Sequence, residues 1–254
     1  MFAQERHRRV TELLAERQKL TLEELCTELA VSPATVRRDL QYLERIGRVV
    51  RTHGGILHPA YLGGERPFHE KAGSSTAAKE AMGVCAARLV PTHATVFVDA
   101  GSTTLEVGRR LLARADLTVF TNSLPLLAEL HPGKCRLIAV GGELRTPSRA
   151  LVGGLTMDWM SHLRFDIALL GASGLDPEDG ASTTELTEAA VKKDCVARAR
   201  RVVLVCDATK WNHSASVRFA SWDSIDDWVT DYQPSRPETQ RLTHAGVAVH
   251  VVSP

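Results

Sequence analysis

Several features that would assign a protein class at once are missing from this sequence of 254 residues. Its five cysteines are scattered and never form a C-x-x-C pair, which argues against a zinc site or a disulfide framework. No run of about 18 apolar residues occurs, so no membrane span is expected. The charged start MFAQERHRRV lacks the apolar core of a signal peptide. We therefore expect a cytoplasmic protein that holds neither a metal nor another cofactor.

A strong charge of either sign is also missing, because the formal net charge is only +1. The hydrophobic share of 44% and the charged share of 24% are those of an ordinary globular protein with one large domain or two smaller ones. Any contact with nucleic acid must therefore depend on where individual arginines are placed.

The composition changes near residues 56–73, where ILHPAYLGGERPFHEKAG is rich in proline and glycine and shows little periodicity. We predict an N-terminal domain over residues 1–58, a linker over 59–73 and a larger domain over 74–254.

The N-terminal domain has the pattern of a winged helix-turn-helix. Apolar residues recur at helical spacing in two segments, and a third helix is predicted to begin after Ser32, a good N-cap, with Pro33 at its first position. The stretches 48–51 and 56–58 are predicted to pair as a hairpin around THGG, which forms the wing.

The first turns of that third helix carry side chains that suit DNA. The second helix of such a motif enters the major groove with its N-terminal end near the bases, where arginine forks and hydroxyls bond to bases or phosphates. A solvated helix face, with Asp39 or Glu44 pairing to the arginines, explains the same pattern without DNA. The candidate DNA-binding residues are Ser32, Thr35, Arg37, Arg38, Gln41, Arg51 and His53.

The larger domain alternates short apolar strands with amphipathic helices, which predicts an α/β fold with a mostly parallel, helix-covered sheet. Several predicted strands end in small or polar residues, and ligands bind beyond the carboxyl ends of such strands. Ser/Thr helix caps and glycine turns would explain any one of these loops equally well. Taken together, the loops favour a binding site.

Within DAGSTT, Gly101, Ser102, Thr103 and Thr104 open a helix whose free N–H groups and dipole suit a phosphate. Asp99 and Asn122 are candidates for bonds to sugar hydroxyls, and Lys210 is a candidate countercharge.

Both halves resemble the DeoR family of bacterial transcriptional regulators over roughly residues 3–235. The resemblance rests on VSPATVRRDL followed by RTHGG, and on VDAGSTT, TNS, VGGELR, FDIALLGASGLD, DGASTTELTEAAVKK and CDATKW. It implies a winged helix-turn-helix that binds double-stranded operator DNA, and a sensor domain similar to ribose-5-phosphate isomerase that binds a phosphorylated sugar. It also implies the phosphate role of residues 101–104 and sugar contacts at Asp99, Asn122, Gly142, Gly171 and Lys210.

We expect a repressor of sugar metabolism that is not an enzyme and that works as a homodimer or higher oligomer, since a single reader has a small footprint. Candidate interface residues are Trp159, Trp211 and Trp222. The alternative is a phosphosugar isomerase-like enzyme, for which Asp176, Glu185 and Glu188 are the candidate carboxylates. Catalytic relatives hold an acidic pair where this chain has Ala172 and Ser173, which speaks against turnover.

Overall fold

The computed structural model describes residues 2–17, 19–46, 48–52, 54–57, 66–129 and 134–253. The chain divides into two compact units, Met1–Arg66 and Pro67–Pro254. The predicted linker is therefore too long at its C-terminal end, because Phe68–Gly73 is a helix of the second unit. Its anchor is Phe68, whose side chain is buried in that unit's core and whose N–H donates to the Pro147 carbonyl at 2.7 Å.

The first unit is a three-helix domain with a small antiparallel sheet, as the sequence predicts. Its elements in chain order are α1 (Ala3–Arg17), β1 (Lys19–Thr21), α2 (Leu22–Leu29), α3 (Pro33–Arg45), β2 (Val50–Thr52) and β3 (Gly55–Leu57). A capping box starts α2, since Thr21 and Glu24 bond to each other's backbone N–H groups. The helices close over one core of apolar side chains that includes Val10, Leu25 and Leu40.

The wing hairpin joins this core through β1, in the order β1-β3-β2. Ile56 of β3 lies opposite Leu20 of β1, and both side chains are fully buried. The second of the two consecutive glycines, Gly55, is required by packing, because a Cβ atom there would lie 2.1 Å from the Leu20 carbonyl oxygen. Any larger residue would push the wing off the domain.

The second unit is built on a parallel sheet of seven strands, which confirms the predicted fold class. The strands are β4 (Thr95–Val98), β5 (Thr118–Thr121), β6 (Arg136–Ala139), β9 (Ile167–Leu170), β12 (Val202–Val205), β14 (Asp227–Thr230) and β15 (Ala248–Val251). Their order is β15-β14-β12-β9-β4-β5-β6, and every pairing is parallel. The sequence predicts all seven of these strands.

Helices cover both faces of this sheet. They are α4 (Phe68–Gly73), α5 (Thr76–Arg88), α6 (Ser102–Leu111), α7 (Leu124–Leu127), α8 (Gly154–His162), α9 (Leu186–Arg198) and α10 (Arg236–His244). Successive residues of a strand face opposite sides, so Phe97 belongs to the core under α8, α9 and α10, whereas Val96 and Val98 belong to the core under α5 and α6. Two-sided burial explains why the central strands β9 and β12 are apolar throughout rather than alternating.

The sequence gives no indication of the remaining strands or of α8. The strands are β7 (Glu143–Arg145), β8 (Ala150–Val152), β10 (Gly174–Asp176), β11 (Gly180–Thr183) and β13 (Val217–Ala220). The first two form a hairpin, and the other three form a second, antiparallel sheet in the order β10-β11-β13. Most of these strands have only three residues, too few to show a period.

Candidate functional site

The third helix begins as the sequence predicts. The Ser32 hydroxyl accepts the Thr35 N–H at 3.3 Å, and Pro33 occupies the first helical position, where no N–H is needed. The two hydroxyls of Ser32 and Thr35 lie 3.0 Å apart on the exposed N-terminal turn. This turn therefore presents hydroxyl groups at the end of the helix that favours negative charge.

The sides of α3 are clearly divided. Val36, Leu40 and Leu43 are buried in the domain core, whereas the candidate residues Arg37, Arg38 and Gln41 are exposed. Neither arginine forms an ion pair with any residue that the structure describes, so both guanidinium groups face solvent unneutralised. An exposed pair of unneutralised arginines suits phosphates and guanine edges.

Asp39 and Glu44 have other partners, so neither neutralises Arg37 or Arg38. The Asp39 carboxylate accepts two bonds from Arg6 at 2.7 and 3.1 Å, and lies 3.0 Å from His7 Nε2. Burial alone would raise the pKa of Asp39, but the bonds from Arg6 and His7 outweigh it and hold the pKa below its usual value. These bonds join α3 to α1 and hold the side of α3 that carries Arg37 and Arg38 away from the domain core.

On the wing, the side chain of Arg51 is exposed and lies 3.9 Å from Glu44. Such a long, exposed contact contributes little and leaves Arg51 able to reach DNA. Thr52 and Gly55 are register partners across the hairpin. The other wing candidate, His53, lies outside the described residues.

In the second unit, the strand order identifies a crevice. The chain runs outward from β4 through β5 to β6 on one side, and from β9 through β12 and β14 to β15 on the other. The direction therefore switches between β4 and β9, which are neighbours. In open α/β sheets, ligands bind beyond the carboxyl ends of the strands at this switch point. The loops there begin at Asp99 and at Gly171.

The first turn of α6 opens at this switch point. Gly101 precedes it, and no side chain caps its N–H groups. Ser102 is half-buried, whereas Thr103 and Thr104 are buried. The Thr104 hydroxyl donates to the carbonyls of Asp99, at 2.7 Å, and Gly101, at 3.1 Å. Thr104 thus shapes the loop from inside, and the accessible donors are the backbone N–H groups and the Ser102 hydroxyl.

Asp99 is buried and has internal partners. Its carboxylate forms an ion pair with Lys192 of α9 and accepts the Gly171 N–H at 3.1 Å. The Lys192 ammonium group also donates to the Gly171 carbonyl at 3.0 Å. The Asp99–Lys192 pair therefore ties the end of β4 to the loop after β9, and the buried Lys192 neutralises the buried Asp99 carboxylate.

Asn122 is used in the same internal way. Its amide oxygen accepts the Ala100 N–H at 3.0 Å, and its amide nitrogen donates to the Leu151 carbonyl at 3.2 Å. It therefore links the loop after β4 to the β7–β8 hairpin. Asp99 and Asn122 are both only 2% exposed, so their side chains hold the loops in place through internal bonds.

The remaining candidates lie around the crevice. Gly171 is next to Asp99 and Thr104, with its Cβ position 3.8 Å and 3.9 Å from their side chains. Lys210 is half-buried and follows β12. Burial raises the pKa of the nearby Cys206 thiol to about 12, and the positive charges of Lys192 and Lys210 oppose that rise. Gly142 instead packs against the start of α8, because a Cβ there would lie 1.9 Å from the Thr156 hydroxyl.

Two important residues are absent from the sequence prediction. Lys192 is one of them: it lies on the same face of its helix as Cys195 and one turn after Glu188, and all three are buried. Arg145 of β7 is the other: it bonds to Glu188 at 3.0 Å and lies 3.9 Å from Glu185. Nothing in the short VGGELR stretch indicates that partner.

The three carboxylates considered for catalysis all have structural partners. Asp176 accepts the N–H groups of Glu178 and Asp179 at 2.9 Å, which makes a turn. Glu185 caps the N-terminus of α9, and Glu188 is bonded by Thr183 and Arg145.

Within the described ranges, no cluster of three or more His, Cys, Asp or Glu side chains is arranged to hold a metal ion. All five cysteines are free thiols. None of the described helices is both long enough and apolar enough to cross a membrane.

A winged helix-turn-helix joined to an α/β unit with a switch point in its strand order is the architecture of a ligand-responsive transcriptional regulator. The family model of the DeoR-like helix-turn-helix domain matches residues 6–60, and that of the DeoR C terminal sensor domain matches residues 74–232. The chain belongs to the DeoR family of DNA-binding transcriptional regulators, which confirms the prediction from the sequence.

Relatives match along almost the whole chain. The HTH-type transcriptional regulator GlpR of Haloferax volcanii is 35% identical over 98% of this chain and 98% of its own length. The glycerol-3-phosphate regulon repressor of Escherichia coli is 32% identical, over 94% of this chain and 95% of its own. Among solved structures, ribose 5-phosphate isomerase A of Methanocaldococcus jannaschii is 16% identical, with a TM-score of 0.41 over 54% of this chain and 55% of that one.

Proposed function

We propose that the chain represses an operon of sugar metabolism and that a phosphorylated sugar, bound at the switch-point crevice, changes its affinity for operator DNA. The observation that carries the proposal is the uncapped first turn of α6, which opens between β4 and β9 in a chain whose other unit reads DNA. Relatives named as repressors, including that of the glycerol-3-phosphate regulon, support both the sign of regulation and the phosphorylated effector.

On the DNA side, α3 enters the major groove and the wing follows the neighbouring backbone. Arg37 and Arg38 carry most of the affinity, since they are exposed and have no acidic partner within the described part of the chain. The proposed contact set is Ser32, Thr35, Arg37, Arg38, Gln41, Arg51 and His53.

On the effector side, the phosphate binds to the backbone N–H groups of residues 101–104 and to the Ser102 hydroxyl, in the positive field at the start of α6. Lys210 supplies a countercharge from the loop after β12. Asp99, Thr104 and Asn122 act as positioning residues, because their polar groups hold the loops in place. Gly171 lets its loop lie close to Asp99 and Thr104, and Gly142 lets its loop pack against the start of α8.

The site binds its ligand without turnover. Isomerisation requires a carboxylate that takes a proton from a sugar carbon. Asp99 is paired with Lys192, and Asp176 accepts bonds within a turn. Glu185 caps the N-terminus of α9, and Glu188 bonds to Arg145. Because each has a structural partner, a sensor fits these residues better than an enzyme does.

The ligand acts by a shift of population. Two arrangements of the protein differ in how they present the reading helices, and the ligand favours the one to which it binds more tightly. We place the reader in residues 1–58, the sensor in the second unit, Pro67–Pro254, and the protein in the cytoplasm, where operator DNA lies.

A thermal-shift screen of the full chain tests the effector class. The panel contains glycerol 3-phosphate, hexose and pentose phosphates, each unphosphorylated parent, and inorganic phosphate. We expect a melting temperature that rises with one phosphorylated ligand and not with its parent. The same wells, analysed for product, separate sensor from isomerase. A shift with the parent sugar alone, or formation of an isomer, would contradict the proposal.

A further inference from the structure

The second unit carries three unusually exposed apolar side chains. Leu155, Trp159 and Leu186 are 71%, 61% and 72% exposed, more than any other large apolar residue of this unit in the described part of the chain. The other tryptophans behave differently, because Trp222 and Trp228 are buried and Trp211 stacks on Trp228 with ring centroids 4.8 Å apart. Of the three tryptophans considered as interface residues, the structure thus leaves only Trp159 on the surface.

These three side chains share one surface, because α8 and α9 lie side by side and run the same way. Each helix leads into a neighbouring strand of the parallel sheet, α8 into β9 and α9 into β12. Their C-terminal ends meet where Arg198 donates to the Ser161 carbonyl at 2.7 Å. Their N-terminal ends both adjoin the β7–β8 hairpin, through Arg145 and Gly153. Leu155 and Leu186 both lie in the first turns of these two helices, near the same hairpin.

The surface is neutral and offers two complementary halves. On α8, the exposed Asp158 lies between Leu155 and Trp159 in sequence. On α9, Leu186, Ala190 and Lys193 recur at positions i, i+4 and i+7, on one side of the helix. Neither the Asp158 carboxylate nor the Lys193 ammonium group forms an ion pair with a described residue. The α8 half thus carries Trp159 and an unpaired carboxylate, and the α9 half carries Leu186, Ala190 and an unpaired ammonium group.

We propose that this α8–α9 surface is where two copies of the chain associate about a two-fold axis. A two-fold contact uses the same surface twice, so α8 of each copy faces α9 of the other. Trp159 then lies on the flat stretch around the partner's Ala190, and Asp158 pairs with the partner's Lys193. Aromatic anchors surrounded by compensated charges are typical of protein interfaces, whereas a DNA- or membrane-binding surface would be basic.

A second copy is also what the reader requires, because helix-turn-helix proteins bind paired half-sites as dimers. Association through the sensor unit would place the effector site and the dimer contact in the same unit. The proposal does not depend on the identity of the effector.

Sedimentation equilibrium of the full chain tests the surface. We expect Trp159→Glu to lower the assembly by a factor of two in mass at a concentration where wild type stays associated. Val251→Glu is the matched control, because Val251 is 42% exposed on the edge strand β15, outside this surface. Circular dichroism melts establish that both variants are folded. A monomeric wild type, or an unchanged mass for folded Trp159→Glu, overturns the proposal.

Charge reversal tests the pairing without removing an apolar group. Asp158→Lys and Lys193→Asp each place like charges opposite one another, and we expect each to weaken association at least tenfold. The double variant Asp158→Lys/Lys193→Asp restores opposite charges and should recover most of that loss. Single variants with no effect, or a double variant as weak as the singles, would show that these two residues do not meet across the axis.

Discussion

The carboxylate of Asp99 and the ammonium group of Lys192 form a buried ion pair at the carboxyl end of β4. Burial alone would lower the pKa of Lys192, but the nearby charges of Asp99 and Glu188 outweigh it and raise the pKa, so Lys192 keeps its positive charge. Both partners also bond to Gly171, which follows β9, so the contact spans the two strands between which the strand order reverses. The loops that follow β4 and β9 are thus held together by a buried ion pair next to the start of α6.

Removing Lys192 should be strongly destabilising. Lys192→Met leaves Asp99 as a buried, unpaired charge, which costs roughly 3–5 kcal/mol in the free energy of unfolding. Asp99→Asn/Lys192→Met removes both charges, and we expect it to recover most of the loss. Urea unfolding followed by tryptophan fluorescence measures both, because all four tryptophans lie in the second unit.

Lys134→Met, at an exposed lysine, is the control and should change the stability by less than about 0.5 kcal/mol. If Lys192→Met were no less stable than this control, the ion pair would have no role in the wall of the crevice.

The clamp between Asp39 and α1 should fail in acid. Because the folded-state pKa of Asp39 is lowered, its stabilising effect is complete above the unfolded value near 3.8 and is lost as the pH falls through the folded value. Asp39→Asn should reduce amide protection in α1 and α3 by about 1–3 kcal/mol at pH 7.

At pH 3 that difference from wild type should be smaller, since the Asp39 carboxyl group of the unfolded chain is then mostly protonated. Hydrogen exchange of the full chain, with protection factors corrected for intrinsic rates, measures it. A difference that stays the same from pH 7 to pH 3 would show that the charge of Asp39 is not what holds α3.

The arginines of α3 should separate into base and phosphate contacts. Arg37→Ala and Arg38→Ala should each weaken operator binding by about 1–3 kcal/mol. The probe is a duplex that the full chain selects from a random library, and binding is followed by fluorescence anisotropy over a range of salt. A lost phosphate contact reduces the salt slope by about one, whereas a lost base contact relaxes selectivity at one position.

Arg200→Ala is the matched control, since Arg200 is the exposed partner of Asp166 in the second unit. It should leave the affinity unchanged. Equal affinities for Arg37→Ala, Arg38→Ala and Arg200→Ala would remove α3 from the DNA interface.

Much of this molecule could be predicted from its sequence, because the signals are local. The Ser32 cap, the Pro33 start and the apolar strands follow from neighbouring residues, and all are found in the structure. The small residues after β4 and β9 are also visible in the sequence, and these two strands are neighbours where the strand order reverses.

What the sequence did not show depends on distant partners. Asp99 and Asn122 look like ligand contacts until their partners, Lys192 and the Leu151 carbonyl, come from elsewhere in the chain. Thr104 has the same outcome, as its hydroxyl turns back to its own loop. A polar side chain at a strand end can face the ligand or hold the loop, and only the fold separates the two roles.

The central claim is that the start of α6 binds an anionic effector and that this binding changes the affinity for operator DNA. Ser102→Asp places a fixed negative charge there, which the helix terminus tolerates and a phosphate does not. Thr76→Asp makes the matched change at the exposed first turn of α5.

The decisive measurement is the anisotropy of labelled operator duplex titrated with the phosphorylated ligand identified by thermal shift, for wild type and both variants. We predict equal operator affinity for all three proteins without ligand, a change in that affinity on adding ligand for wild type and Thr76→Asp, and no change for Ser102→Asp. A change for Ser102→Asp at the same ligand concentration as for wild type would contradict the account.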